Sequence, residues 1–144
     1  MKYLVLVSHG GFAKGLKTSL AMFAGDKMDR VIAVGLEEGK SVDDFALDFK
    51  DAIADLNETD EVIVLADIVG GSPLTTACGV LEEVGKLNTA VIIGGMNLPM
   101  ALTSLVMKDA LEGADFVNAV LPEAQAALQE FKVVLEDDDE DDDI

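Results

Sequence analysis

The chain has 144 residues, 28 acidic against 10 basic side chains and a formal charge of −18 at pH 7, with half of its residues apolar. That length allows one domain with its own core, while the scattered cations supply no basic stripe of the kind a nucleic-acid binder needs. One cysteine excludes an internal disulfide and suits a reducing, cytoplasmic compartment. No apolar run approaches the roughly 18–20 residues that span a bilayer, and the first one is too short for a signal peptide.

In chain order, four short apolar runs read as strands: Tyr3–Val7, Val31–Val34, Val62–Ala66 and Ala90–Ile93. Each is continuous rather than alternating, as in strands buried on both faces. Between the first two, Ala13, Leu16, Leu20 and Phe23 share one face of a helix that Gly25 closes. A second helix opens at Ser41, where Asp44 three residues on makes a capping box, with Phe45, Phe49, Ala52 and Leu56 inward. The third begins at Ser72-Pro73, a polar cap and a proline at the first helical position, and Gly85 ends it. The fourth starts near Pro99, carries Leu102, Leu105, Val106 and Leu111, and stops at Gly113. Phe116–Leu121 reads as a short edge strand, and Pro122–Leu135 as a closing helix with Ala124, Ala127, Leu128 and Phe131 inward. Glu136 to Asp143 are eight consecutive acids, so residues 1–135 are expected to form the domain and 136–144 a disordered acidic tail. Strand–helix alternation at this spacing predicts an α/β, doubly wound, mainly parallel sheet.

In such a sheet, ligands bind beyond the carboxyl ends of the strands, where strand order reverses. The sequence places Ser8-His9-Gly10-Gly11 after the first strand, Asp67-Ile68-Val69-Gly70-Gly71-Ser72-Pro73 after the third and Gly94-Gly95-Met96-Asn97-Leu98-Pro99 after the fourth. His9 is the chain's only histidine. If the first and third strands are neighbours, Asp67 stands level with it and can accept a hydrogen bond from Nδ1–H, which leaves Nε2 as the nucleophilic nitrogen. Gly71 and Ser72 open a helix whose free N–H groups and positive dipole end suit a phosphoryl group. Other chemistries find no support. There is neither a G-x-x-x-x-G-K-[ST] loop nor a G-x-G-x-x-G fingerprint for a nucleotide, and no G-x-S-x-G hydrolase elbow. One histidine and one cysteine cannot assemble the usual zinc set, so neither metal nor cofactor is expected, and Cys78 reads as a packing residue.

Val5-Leu6-Val7-Ser8-His9-Gly10, Asp67 to Pro73 and Gly94 to Met100 together resemble the IIA domain of the mannose-type sugar phosphotransferase system over about the first 130 residues. The resemblance implies a sheet of strand order 2-1-3-4 and an antiparallel edge strand exchanged between the subunits of a homodimer, with Phe116–Leu121 the candidate. It also implies a phosphotransferase in which His9 accepts a phosphoryl group from phospho-HPr and passes it to a IIB partner, with membrane IIC and IID proteins engaged indirectly. Asp67 would orient the ring, and Gly71 and Ser72 would contact the phosphate. Where some members carry Thr-Trp after the aspartate, this chain has Ile68-Val69. A docking rim is expected from Phe12, Met96 and Leu98 with Glu37 and Glu38 nearby. Two other readings stay open: a non-covalent anion-binding module, and a receiver-like regulatory domain, although a receiver needs an acidic pair where this chain has Ser8-His9.

Overall fold

The computed structural model of the protein describes residues 1–135; the acid run and the disorder expected of it lie outside the described residues. Strands β1 (Lys2–His9), β2 (Val31–Leu36), β3 (Glu61–Ala66) and β4 (Val91–Gly94) form one sheet in the order β2-β1-β3-β4, and every pairing is parallel. Five helices connect and cover it: α1 (Phe12–Ala24), α2 (Val42–Ala52), α3 (Ser72–Glu83), α4 (Leu98–Met107) and α5 (Gly113–Ala126). Successive side chains of a strand point to opposite faces, so Leu4 and Leu6 of β1 meet α1, α4 and α5 while Val5 and Val7 meet α2 and α3. Two apolar layers, one on each face, explain why these strands read as unbroken Val, Ile and Leu. Among the described residues no helix is long and apolar enough to cross a membrane.

The helix starts follow local chemistry. Ser41 and Asp44 cap α2 reciprocally, the Ser41 hydroxyl accepting the Asp44 N–H at 3.0 Å and the Asp44 carboxylate accepting the Ser41 N–H at 3.1 Å. Asn97 caps α4 by accepting the Met100 N–H at 2.8 Å, and its amide donates to the Ala124 carbonyl at 3.1 Å, tying α4 to α5. Gly25, at φ +55°, ends α1 and is followed by a 3-10 turn to Arg30.

The carboxyl-terminal third departs from expectation. Phe116–Leu121 is not a strand but the middle of α5, because Phe116, Val120 and Ala124 recur every four residues and fill the layer against α4. Pro122 lies on the helix's exposed side and does not interrupt it. Gly113 opens α5 rather than closing α4, which ends at Met107. Among the described residues regular structure stops at Ala126, and Leu128 and Phe131 are exposed instead of inward. Phe23 likewise faces solvent on α1.

Candidate functional site

Strand order reverses beside β1, which pairs with β2 on one side and β3 on the other. His9 is the last residue of β1, and Asp67 directly follows β3. The two meet: His9 Nδ1 lies 2.9 Å from Asp67 Oδ2, and the same oxygen accepts the His9 backbone N–H at 2.9 Å. Asp67 Oδ1 accepts the Ile68 N–H at 2.9 Å. Burial opposes ionisation of Asp67, but the hydrogen bonds from the His9 backbone, the His9 ring and Ile68 outweigh it and hold the carboxyl below its ordinary value. An ionised carboxylate only accepts, so Nδ1 carries the ring proton and Nε2 is the bare nitrogen of the neutral imidazole. The His9 side chain is 47% exposed.

Glycines let three chain segments close around the ring. Gly10 takes φ +55° and donates its N–H to the Leu36 carbonyl at 2.8 Å, folding the chain back after His9. A Cβ on Gly35 would stand 2.2 Å from the Gly10 carbonyl oxygen, so only glycine admits this turn. Gly71 leaves room for the imidazole: a Cβ there would lie 2.8 Å from His9 Cε1. Gly71, not Ser72, is the residue that caps α3; Ser72 is its first residue, exposed, with a hydroxyl that takes no part in capping. The start of α3 and its unpaired backbone N–H groups therefore begin beside the imidazole. Ser8, buried next to His9, accepts the Ala13 N–H at 2.7 Å and fixes the entry to α1, a contact not anticipated from sequence.

The expected rim is only partly realised. Phe12 is exposed and Leu98 half-buried, but Met96 is buried. The Met96 N–H bonds the Ala66 carbonyl at 2.9 Å, extending the sheet hydrogen bonding past β4 and sending the side chain into the core. Glu37 is ion-paired with Lys14 at 3.0 Å, which lowers its pKa, while Glu38 is exposed. Burial raises the Cys78 thiol, keeping it protonated and far from a nucleophile's state. Among the described residues no cluster of three His, Cys, Asp or Glu is placed to hold a metal ion. Clefts of about 460 and 400 Å³ lie at the amino-terminal end of the sheet, and neither includes His9.

Residues 3–121 match the family model EIIA-man, described as "PTS system fructose IIA component". A PTS system fructose-specific EIIA component of Bacillus subtilis (strain 168) is 29% identical over 126 residues, covering 88% of this chain and 84% of that protein. The crystal structure of a PTS IIA protein associated with the fucose utilization operon of Streptococcus pneumoniae is similar with a TM-score of 0.73 and 30% identity, over 90% of this chain and 92% of that one. A phosphotransferase system EIIA component from Streptococcus agalactiae gives a TM-score of 0.76 at 25% identity, over 91% of this chain and 98% of that one.

Proposed function

Since the chain belongs to the EIIA-man family of phosphotransferase-system IIA components, we propose that it is a cytoplasmic phosphocarrier for sugar uptake in which His9 takes a phosphoryl group from phospho-HPr and yields it to a IIB partner. The observation that carries this reading is the 2.9 Å bond between His9 Nδ1 and Asp67, which leaves Nε2 unprotonated at an exposed edge. The Nε2 lone pair attacks phosphorus in line, a new P–N bond forms, and the donor's P–N bond breaks with its electron pair returning to the donor imidazole. The His9 ring becomes cationic while it keeps its Nδ1 proton, and the Asp67 carboxylate balances that charge. Gly71, Ser72 and the first N–H groups of α3 hold the equatorial oxygens, so catalysis is positioning and electrostatics. Transfer onward to IIB runs the same steps in reverse, and IIC and IID are engaged only through it. The names of the relatives speak of fructose and of a fucose utilization operon, so they do not converge on one sugar for this chain.

The test is labelling by the phosphoenolpyruvate-driven donor system, read as one acid-labile, alkali-stable phosphoryl group per chain at His9. EDTA leaves it unchanged under this reading. A magnesium requirement would favour a receiver-like domain, and a label lost on dialysis a non-covalent anion module.

Gly71→Ala provides a finer check. The added methyl group overlaps the ring, which is the mobile partner and must turn away from Asp67. Stability is expected to stay near that of the unaltered chain while the rate of acceptance falls about 10- to 100-fold, the scale of an ångström-sized misplacement. An unchanged rate would remove Gly71 from the site.

Homodimerisation belongs to the same reading, through a different segment from the one expected. Leu128, Phe131, Val133, Val134 and Leu135 all stand exposed, and among the described residues β4 is hydrogen-bonded on one side only. Exchange of 128–135 between copies would cover both. Light scattering should give twice the 15.2 kDa chain mass, and Phe131→Ser with Val133→Ser should shift the protein to monomer; a monomeric unaltered chain would reject it.

A further inference from the structure

The loop after β3, which begins with the His9 partner Asp67, presents two large apolar side chains to solvent: Ile68 is 53% and Val69 76% exposed. Phe12, three residues after His9 and the first of α1, is 51% exposed. Apolar side chains scattered singly on a surface need no explanation, but a group around a reactive atom marks a place where another surface settles.

These two are also fixed in place. Val69 Cγ2 occupies the space above Gly94 where a side chain would otherwise begin, 2.2 Å from the position of a Cβ on that glycine. Ile68 rests on Gly71 in the same manner, its Cγ1 and Cδ1 3.1 and 3.2 Å from the corresponding point, beside the His9 ring. Each side chain thus rests a terminal methyl group on a glycine while half or more of its surface stays open to solvent. A contact residue already held in one position loses little freedom on binding, which is how a small apolar group becomes an anchor.

We propose that Ile68 and Val69, with Phe12, form a preorganised apolar collar that docks the donor protein around His9. The inference rests on the phosphocarrier reading above and names the contact through which that site selects a protein over a small phosphoryl donor. The occupant is a protein whose phosphohistidine is surrounded by apolar side chains and bordered by cations. Exposed apolar side chains spread over two loops offer contacts that only a protein-sized donor can span, and a chain of charge −18 attracts a locally basic surface. Because Glu37 is already paired with Lys14, close-range selectivity falls to the collar.

The experiment compares phosphorylation of His9 by the purified protein donor with phosphorylation by phosphoramidate, a small donor that needs no docking. Val69→Ala removes two methyl groups from a mostly exposed side chain, so the fold is retained. The KM for the protein donor is expected to rise roughly tenfold, the scale of two methyl groups lost from a buried contact. Val69→Ile should restore it to within about twofold, and the ratio of protein-donor to phosphoramidate efficiency should fall in step with the KM change. An unchanged KM would overturn the collar. So would equal losses with both donors, which would place Val69 in the support of His9, or a change in oligomeric state, which would assign the face to a second copy of this chain. If the unaltered chain is labelled by neither donor, the phosphocarrier reading itself fails; labelling with an insensitive Val69→Ala variant rejects the collar alone.

Discussion

His9→Ala will abolish phosphoryl acceptance from the donor protein, with a loss of at least about 10⁴-fold, since the nucleophile itself is removed. The chain contains no other histidine that could take over the group. The fold should survive the change. The ring belongs to neither apolar layer, and Asp67 keeps two of its three hydrogen bonds, from the backbone N–H groups of residues 9 and 68. The lost ring bond is worth about 1 kcal/mol, as a partly exposed hydrogen bond typically is. The check is mass-spectrometric mapping alongside thermal unfolding. Acid-labile label at the normal rate in a folded His9→Ala protein would refute the site.

Most of the sheet and the centre of this site were legible because the physics is local. A strand covered on both faces has to be apolar throughout, so Val62–Ala66 could hardly be anything else. Of the glycines paired after three strands, Gly71 and Gly94 mark close approaches, a Cβ on Gly71 standing 2.8 Å from the ring. The contact between His9 and Asp67 needed only the strand order. What remained hidden depends on tertiary packing. Phe116–Leu121 is short and apolar, and nothing within it separates a strand from one face of a helix; the decision comes from α4, which offers a layer for Phe116, Val120 and Ala124. Pro122 read as a helix start although it lies on the outer side of a continuing one. Met96 read as rim because it follows Gly94-Gly95, but its backbone bond to Ala66 turns it inward. The exposed pair that does stand at the rim, Ile68-Val69, is as β-branched as the strand before it. Their packing on Gly71 and Gly94 is a tertiary contact that the dipeptide itself does not reveal.

Asp67→Asn is expected to slow acceptance by one to two orders of magnitude with the fold intact, an effect of tautomer and charge together. The two Asp67 oxygens receive three N–H donors, two from His9 and one from Ile68. Asparagine offers one oxygen and one NH₂. Turned one way, its NH₂ confronts the Ile68 N–H; turned the other, it confronts the His9 backbone N–H and forces the ring proton onto Nε2, the nitrogen that must attack. In neither orientation is there a negative charge to balance the ring once phosphorus is bound. The same group gives a pH signature of definite sign. The Asp67 carboxyl lies below its ordinary value of 3.8 in the folded chain. Its stabilising contribution is therefore complete above that pH and is lost as the pH falls through the lower, folded value. Thermal stability of the unaltered protein should exceed that of Asp67→Asn at neutral pH, and the gap should close in acid below about pH 3.8 as the native carboxylate takes up its proton. A gap that stays constant well below that pH, or an Asp67→Asn variant that accepts phosphoryl groups at the full rate, would show that the carboxylate's charge plays no part in setting the state of His9.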